Sequence, residues 1–194
     1  MESTTDGELI RRSLQDRELF EVIFDRHYDV VRIYVQRRLG HDDGEEVAAS
    51  AFEWAFAHRD RFDTTFSSAR PWLIGIANNL VRRHLRRSEV RHRRLPISIV
   101  LDRSSPEPSL DGLVALEQRP ALRVALESLS WDDRETFLLV VLSELSYQEV
   151  AETMGVPVGT VRSRVNRARG RLRELLGPVE AISPGNEDSG EPDG

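Results

Sequence analysis

Between Arg162 and Arg173 the chain reads R-S-R-V-N-R-A-R-G-R-L-R, six arginines in twelve residues with no acid among them. A guanidinium is a planar, permanently charged donor that matches phosphate oxygens and the major-groove edge of guanine. A solvated helix face ordinarily mixes signs, because like charges one turn apart repel by about 0.2–0.5 kcal/mol a pair. So dense a run favours a polyanion as partner over an ordinary wet surface. Val161, Val165, Ala168 and Leu172 are threaded through it at helical spacing, which predicts one helix with a core face and an arginine face. Arg162, Asn166, Arg169 and Arg173 share one side of that helix, flanked by Arg164, Arg167 and Arg171. Thr160 and Ser163 stand near its start, where short hydroxyls and free backbone N–H groups suit phosphate. Arg162, Arg164, Asn166 and Arg167 are the candidates for base edges, and Arg171 extends the contact surface.

The elements that must position this helix are legible upstream of it. Tyr147–Met154 predicts a short helix with Val150, Ala151 and Met154 on one apolar stripe. Gly155-Val156-Pro157 breaks it: glycine takes a left-handed backbone at low cost, and proline fits a helix start. Two helices across a tight turn make a helix-turn-helix, whose second helix enters the DNA major groove. Ala121–Leu129 and Asp132–Leu142 predict two preceding helices, with Ser130 as N-cap of the second. Phe137 and Leu138 are read as core, with a partner-facing surface as the other reading.

A second basic segment, Val81–Arg94, holds seven arginines and one glutamate. It lies at the end of a helix predicted over Trp72 to about Val90, with Pro71 where a first helical residue belongs and a polar loop, Arg59–Arg70, before it. Further upstream, Glu18–Leu39 and Glu45–His58 predict two more helices, broken at Gly40–Gly44, with Asp43 as cap of the second. Residues 1–15 read as a flexible polar N-terminus, 16–95 as one helical domain, 96–120 as a linker with a short helix near Leu110–Gln118, 121–177 as a second domain, and 178–194 as a disordered acidic tail. The fold class is all-α.

Composition bounds the function. The chain has 194 residues, a net charge of −6 and no cysteine, which excludes disulfides, thiolate metal sites and a cysteine nucleophile. The basic charge is concentrated, whereas Pro178–Gly194 holds five acids and no base. All 27 basic residues are arginine, a bias that points to a GC-rich genome and not to a mechanism. There is no membrane-length apolar run and no signal-peptide pattern at the N-terminus, so a soluble cytoplasmic protein without membrane contact of its own is expected. His84 and His92 sit among arginines that disfavour a bound cation, and Asp42, Asp43, Glu45 and Glu46 read as a solvated helix start. No phosphate loop or catalytic constellation is present, so neither cofactor, metal nor enzymatic activity is expected.

Leu129–Arg173 resembles region four of bacterial RNA polymerase sigma factors of the extracytoplasmic-function (ECF) group, whose pattern S-Y-x-E-[IV]-A, then G-[IV]-P-x-G-T-V-[KR]-S-R-[LV]-x-R-A-R, it follows almost throughout. The N-terminal half is similar to region two. The family's D-A-E-D-L-V-Q-E-T-F-x-x-A-W stands here as D-G-E-E-V-A-A-S-A-F-E-W-A-F, with Ala49 and Ser50 replacing the Gln-Glu pair. Its W-L-x-x-I-A-x-N-x-x-x-D-x-x-R-R stands as W-L-I-G-I-A-N-N-L-V-R-R-H-L-R-R, with Arg83 replacing the aspartate. The resemblance implies polymerase docking through Asp43, Glu45, Glu46, Phe52 and Phe56. It implies capture of the downstream (−10) promoter element as single-stranded DNA by the loop Phe62, Asp63, Thr64, Thr65, Phe66, Ser67 and by Trp72, Asn78, Asn79, Arg82, Arg83 and Arg86. Unpaired bases are read on their edges in protein pockets while cations hold the backbone. Trp72 is read first as a core anchor and second as a base stack.

The expected function follows: an ECF-type sigma factor that binds core RNA polymerase, reads the upstream (−35) element as duplex, captures the downstream element as single strand and assists promoter melting. Its implied partners are core RNA polymerase, promoter DNA and an anti-sigma factor. The alternative is a helix-turn-helix regulator that binds a palindromic duplex as a dimer without polymerase, which leaves the Trp72–Arg87 basic helix unexplained.

Overall fold

The computed structural model describes residues 4–91, 121–143 and 145–176, with the backbone alone at 88–91. Every regular element among the described residues is a helix, and the chain divides into two compact units, Met1–Glu117 and Gln118–Gly194. The expected linker, 96–120, the short helix expected near its end and the acidic tail, 178–194, lie outside the described residues.

The first unit comprises α1 (Asp6–Ser13), α2 (Leu19–Leu39), α3 (His41–Ala57), a single 3-10 turn (Arg59–Arg61) and α4 (Arg70–Arg91). α2 packs against α1, α3 and α4, and α3 packs on α4. Phe20, Ile23, Val31, Tyr34, Val35 and Leu39 form its buried stripe at helical steps. α3 answers with Ala48, Ala51 and Ala55, all fully buried; small side chains at a helix contact bring the two axes close. Between them stands one residue, Gly40, at φ 89° and ψ −178°, a backbone that a β-carbon would make costly. This abrupt restart places the beginning of α3 at His41. Asp43, expected as the cap, therefore lies inside the first turn, and Gly40 takes the N-cap position without a side-chain bond.

The polar N-terminus, expected to be flexible, is helical from Asp6. Thr5 Oγ1 accepts the Glu8 N–H at 3.3 Å, and Leu9 and Ile10 are buried. Two adjacent apolar residues show no period in the sequence. They suffice here because Asp6 is fixed by groups far along the chain.

The second unit holds α5 (residues 121–127), α6 (Trp131–Ser143), α7 (Tyr147–Met154) and α8 (Val158–Leu176). Ser130 caps α6, its Oγ accepting the Asp133 N–H at 3.2 Å. α8 packs on both α6 and α7. Leu126, Leu139, Val150, Val161, Val165 and Leu172 fill the core. Phe137 and Leu138 are each 4% exposed, so both belong to the core and offer no partner surface.

Candidate nucleic-acid interface

The turn between α7 and α8 is fixed at both ends. Ser146 Oγ accepts the Glu149 N–H at 3.2 Å while Glu149 Oε2 accepts the Ser146 N–H at 2.8 Å, a reciprocal capping box. At the far end Gly155 is left-handed, φ 65° and ψ 36°. The Val156 N–H donates to the Ala151 carbonyl at 3.0 Å and the Gly155 N–H to that of Glu152 at 3.2 Å, which closes α7 as a Schellman motif. The Pro157 carbonyl then accepts the Thr160 N–H at 2.8 Å and α8 begins.

Val161, Val165, Ala168 and Leu172 face the core, as their spacing predicts. On the outer side Arg162, Ser163, Asn166, Arg167, Arg171 and Arg173 are exposed, and Thr160 and Arg164 are half-buried. The arginines are not equivalent. Arg164 Nη2 lies 2.7 Å from Asp132 Oδ2. Arg167 forks onto Asp133, with bonds of 2.7 and 3.2 Å. Arg171 pairs with Glu174 at 3.0 Å. The Arg167 hydrogen bond holds the Asp133 carboxyl below its usual range, and the same bond raises the guanidinium pKa. Among the described residues no ion pair engages Arg162 or Arg173. The acids at the start of α6 thus occupy two of the four candidate base-readers, an arrangement that sequence inspection of α8 alone could not reveal.

In the first unit the loop between the 3-10 turn and α4 separates buried from presented groups. Phe62 is 7% exposed, its ring packed at 5.1 Å against that of half-buried Trp72. Both are anchors for the loop, so Phe62 is withdrawn from the accessible set. Asp63 Oδ1 accepts from the Thr65 N–H at 3.0 Å and from Thr65 Oγ1 at 2.7 Å, and these two bonds lower its pKa. The turn pushes Phe66 outward, 48% exposed, among exposed Thr64, Thr65 and Ser67. On α4, Asn79, Arg83 and Arg86 are exposed and Arg82 is half-buried. Asn78 is buried: its Oδ1 accepts the Tyr34 hydroxyl at 2.8 Å, so it serves the α2–α4 contact and is not presented to DNA.

The acidic helix divides in the same way. Asp43 and Glu46 are exposed. Glu45 is held by Tyr28 Oη at 3.0 Å and Gln36 Nε2 at 2.8 Å. Phe52 is buried against Phe24 and Tyr28, with ring centroids 5.0 and 5.5 Å away, so it is core and no docking group. Phe56 is half-buried under the Arg59 guanidinium, 4.2 Å from its ring. The aromatic presented on α3 is Trp54, 38% exposed and stacked on His58. It lies two residues beyond Phe52 and hence on the opposite side of the helix. Asp43 Oδ2 also lies 3.3 Å from His84 Nε2, which joins the acidic helix to the basic one.

The sequence matches the family model for sigma-70 region 2 over residues 23–91 and that for sigma-70, region 4 over residues 119–172. It is 30% identical over 175 residues to the ECF RNA polymerase sigma factor SigW of Bacillus subtilis (strain 168), covering 83% of this chain and 90% of the relative. The chain belongs to the ECF sigma factors of RNA polymerase. This sigma factor is also 31% identical over 193 residues to the ECF sigma-E factor of Escherichia coli (strain K12), 92% of this chain and 97% of the relative. Its fold resembles that of the sigma factor RpoE co-crystallised with the anti-sigma factor NepR from Bartonella quintana, with TM-score 0.57 and 28% identity over 81% of this chain and 96% of that one. In this sigma factor the region 4 match ends within α8, and the region 2 match begins inside α2, so α1 precedes it.

Proposed function

We infer that this sigma factor binds core RNA polymerase, brings it to promoters with two spaced elements and assists their melting. Family membership supports polymerase and promoter DNA as partners. The observation that carries the division of labour is the difference between the two basic surfaces. One is a helix projecting arginines behind a rigid turn, suited to the major groove of a duplex. The other is a loop that presents Phe66 and short polar groups ahead of the exposed arginines of α4, suited to a base removed from its stack.

On this reading Arg162, Asn166 and Arg173 meet the upstream element, with Thr160 and Ser163 at the phosphates. Asp63–Ser67, Asn79, Arg82, Arg83 and Arg86 hold the downstream single strand. Asp43, Glu46 and Trp54 on α3 face the polymerase. Residues 96–120 act as the tether between the units. The protein contributes binding energy and no bond-making chemistry, which belongs to the polymerase. No helix among the described residues is long and apolar enough to cross a membrane, and work on promoter DNA supports a cytoplasmic location for this sigma factor. The complex of the Bartonella quintana relative with an anti-sigma factor supports a protein antagonist of the same kind for this chain.

Transcription in vitro with purified core polymerase over a library of promoter fragments tests the proposal. Initiation dependent on this protein, at sites sharing two elements, is the expected result. Tight binding of a palindromic duplex by the protein alone, with no initiation, would sink it.

A further inference from the structure

Asp6 has an environment unlike that of any other carboxylate among the described residues of the first unit. It is 4% exposed. Its Oδ1 accepts from Arg26 Nη1 at 2.9 Å and its Oδ2 lies 2.6 Å from His27 Nε2. The same Oδ2 accepts the Ala69 backbone N–H at 2.8 Å. The Asp6 N–H donates to the Ser67 carbonyl at 3.1 Å. These groups come from three different elements: α1, the first half of α2, and the last residues of the loop that carries Phe66.

Gly7 adds an independent observation. A β-carbon built there would overlap the Thr64 carbonyl oxygen and lie 2.6 Å from that of Phe66. The first turn of α1 therefore lies against the backbone of the presenting loop at three carbonyls, of Thr64, Phe66 and Ser67, and one amide, of Ala69. Among the described residues no other hydrogen bond reaches residues 64–67 from outside the loop; the Asp63 turn lies within the loop itself. Loops of exposed polar residues need such external bonds to hold one conformation.

We propose that Asp6 and Gly7 are positioning residues for recognition of the downstream element: α1 clamps the loop so that Phe66 and its neighbours stand ready for the single strand. The proposal rests on the reading that this loop captures that strand. A pre-set loop avoids the cost of ordering on binding and discriminates more sharply among bases than a mobile one.

Holoenzyme made with core polymerase tests it in three assays: affinity for core, affinity for a duplex carrying the upstream element, and affinity for a single-stranded oligonucleotide carrying the non-template downstream element of a mapped promoter. The variants are Asp6→Asn, Gly7→Ala and, inside the loop, Phe66→Ala. Asp6→Asn removes the charge that gathers Arg26, His27 and the Ala69 amide. Gly7→Ala improves the helical propensity of α1 while pushing the loop away, so a loss there is not a loss of helix. All three should weaken single-strand capture by about tenfold and leave the other two affinities within about twofold. Asp6→Asn and Gly7→Ala should also flatten the difference between cognate and base-substituted oligonucleotides.

Unchanged capture and discrimination in either α1 variant, with capture lost in Phe66→Ala, would overturn the clamp and leave the loop reading intact. Equal losses in all three assays for both α1 variants would also overturn it, by showing a role in stability alone. Unchanged capture in Phe66→Ala would remove the loop as reader and the clamp with it.

Discussion

Arg164 and Arg167 lie on the recognition helix but are held by the paired aspartates at the start of α6. A guanidinium already bonded to a carboxylate releases no counterion when DNA approaches, so it adds little to affinity unless it changes partner. Replacing Asp132 and Asp133 together by asparagine is expected to raise affinity for non-cognate duplex. It should steepen the plot of log K against log salt by up to about two, near one per freed arginine. Titrations at several salt concentrations would show this, and an unchanged slope would mean that neither arginine can reach a phosphate. Arg162, with no such partner, should behave oppositely: Arg162→Ala is expected to cost about 1–3 kcal/mol of upstream-element affinity, readable by fluorescence anisotropy on the holoenzyme. Asp6 predicts a pH dependence. Burial pushes its carboxyl pKa up, but hydrogen bonds from the Ala69 amide, His27 and Arg26 outweigh burial and leave it below the usual aspartate range. A depressed folded value contributes stability that is full above the unfolded value of about 3.9 and is lost as pH falls through the folded one. The urea midpoint of Asp6→Asn should therefore lie below that of the wild type at pH 7, and the gap should narrow as the pH drops below about 4. A gap that stays constant would show that the carboxylate contributes no net charge stabilisation.

The turn before α8 shows how an element is made to present its residues. Ser146→Ala removes half of the capping box and should cost about 1 kcal/mol. Gly155→Ala forces a β-carbon into the left-handed region and should cost about 1–2 kcal/mol. For a domain of this size each kcal/mol lowers the midpoint by about 4–8 °C. Calorimetry should place both variants below the wild type, with Gly155→Asn close to it, because asparagine tolerates that backbone. Equal midpoints for Gly155→Ala and wild type would mean that the turn is not under this constraint. These elements were legible in the sequence because their signals are local. Tyr147–Met154, the Gly-x-Pro break and the stripe Val161, Val165, Ala168, Leu172 each lie within a few residues of the feature they specify. What local reading missed depends on distance. α1 owes its place to contacts from Asp6 to Arg26, His27 and Ala69. Asn78 and Asn79 differ by one helical step of about 100°, enough to send one to Tyr34 and the other to solvent. Phe62 and Phe66 look alike in the loop sequence, and the packing of Phe62 on Trp72, which local sequence does not show, distinguishes the buried ring from the exposed one.

At the scale of the whole molecule the net charge of −6 conceals two basic surfaces, one on each compact unit. Either surface alone faces a general problem: a few phosphate contacts give weak, salt-sensitive and sequence-tolerant binding. Joining two weak readers on one chain turns the second contact into an intramolecular one, and the gain exists only where both elements are within reach together. Promoter selectivity is therefore expected to depend on the spacing between elements as strongly as on their sequences. Inserting about five base pairs between them moves the upstream element to the opposite side of the duplex, half of a turn of about 10.5 base pairs. With core polymerase present, that insertion should lower initiation more than tenfold, an effect as large as destroying the upstream element itself. Inserting a full turn restores the face but not the distance, and should recover only part of the activity. Run-off yields across such a spacer series would decide the matter. Initiation indifferent to the insertion would mean that the two units engage DNA independently, and that recognition by this sigma factor rests on one element.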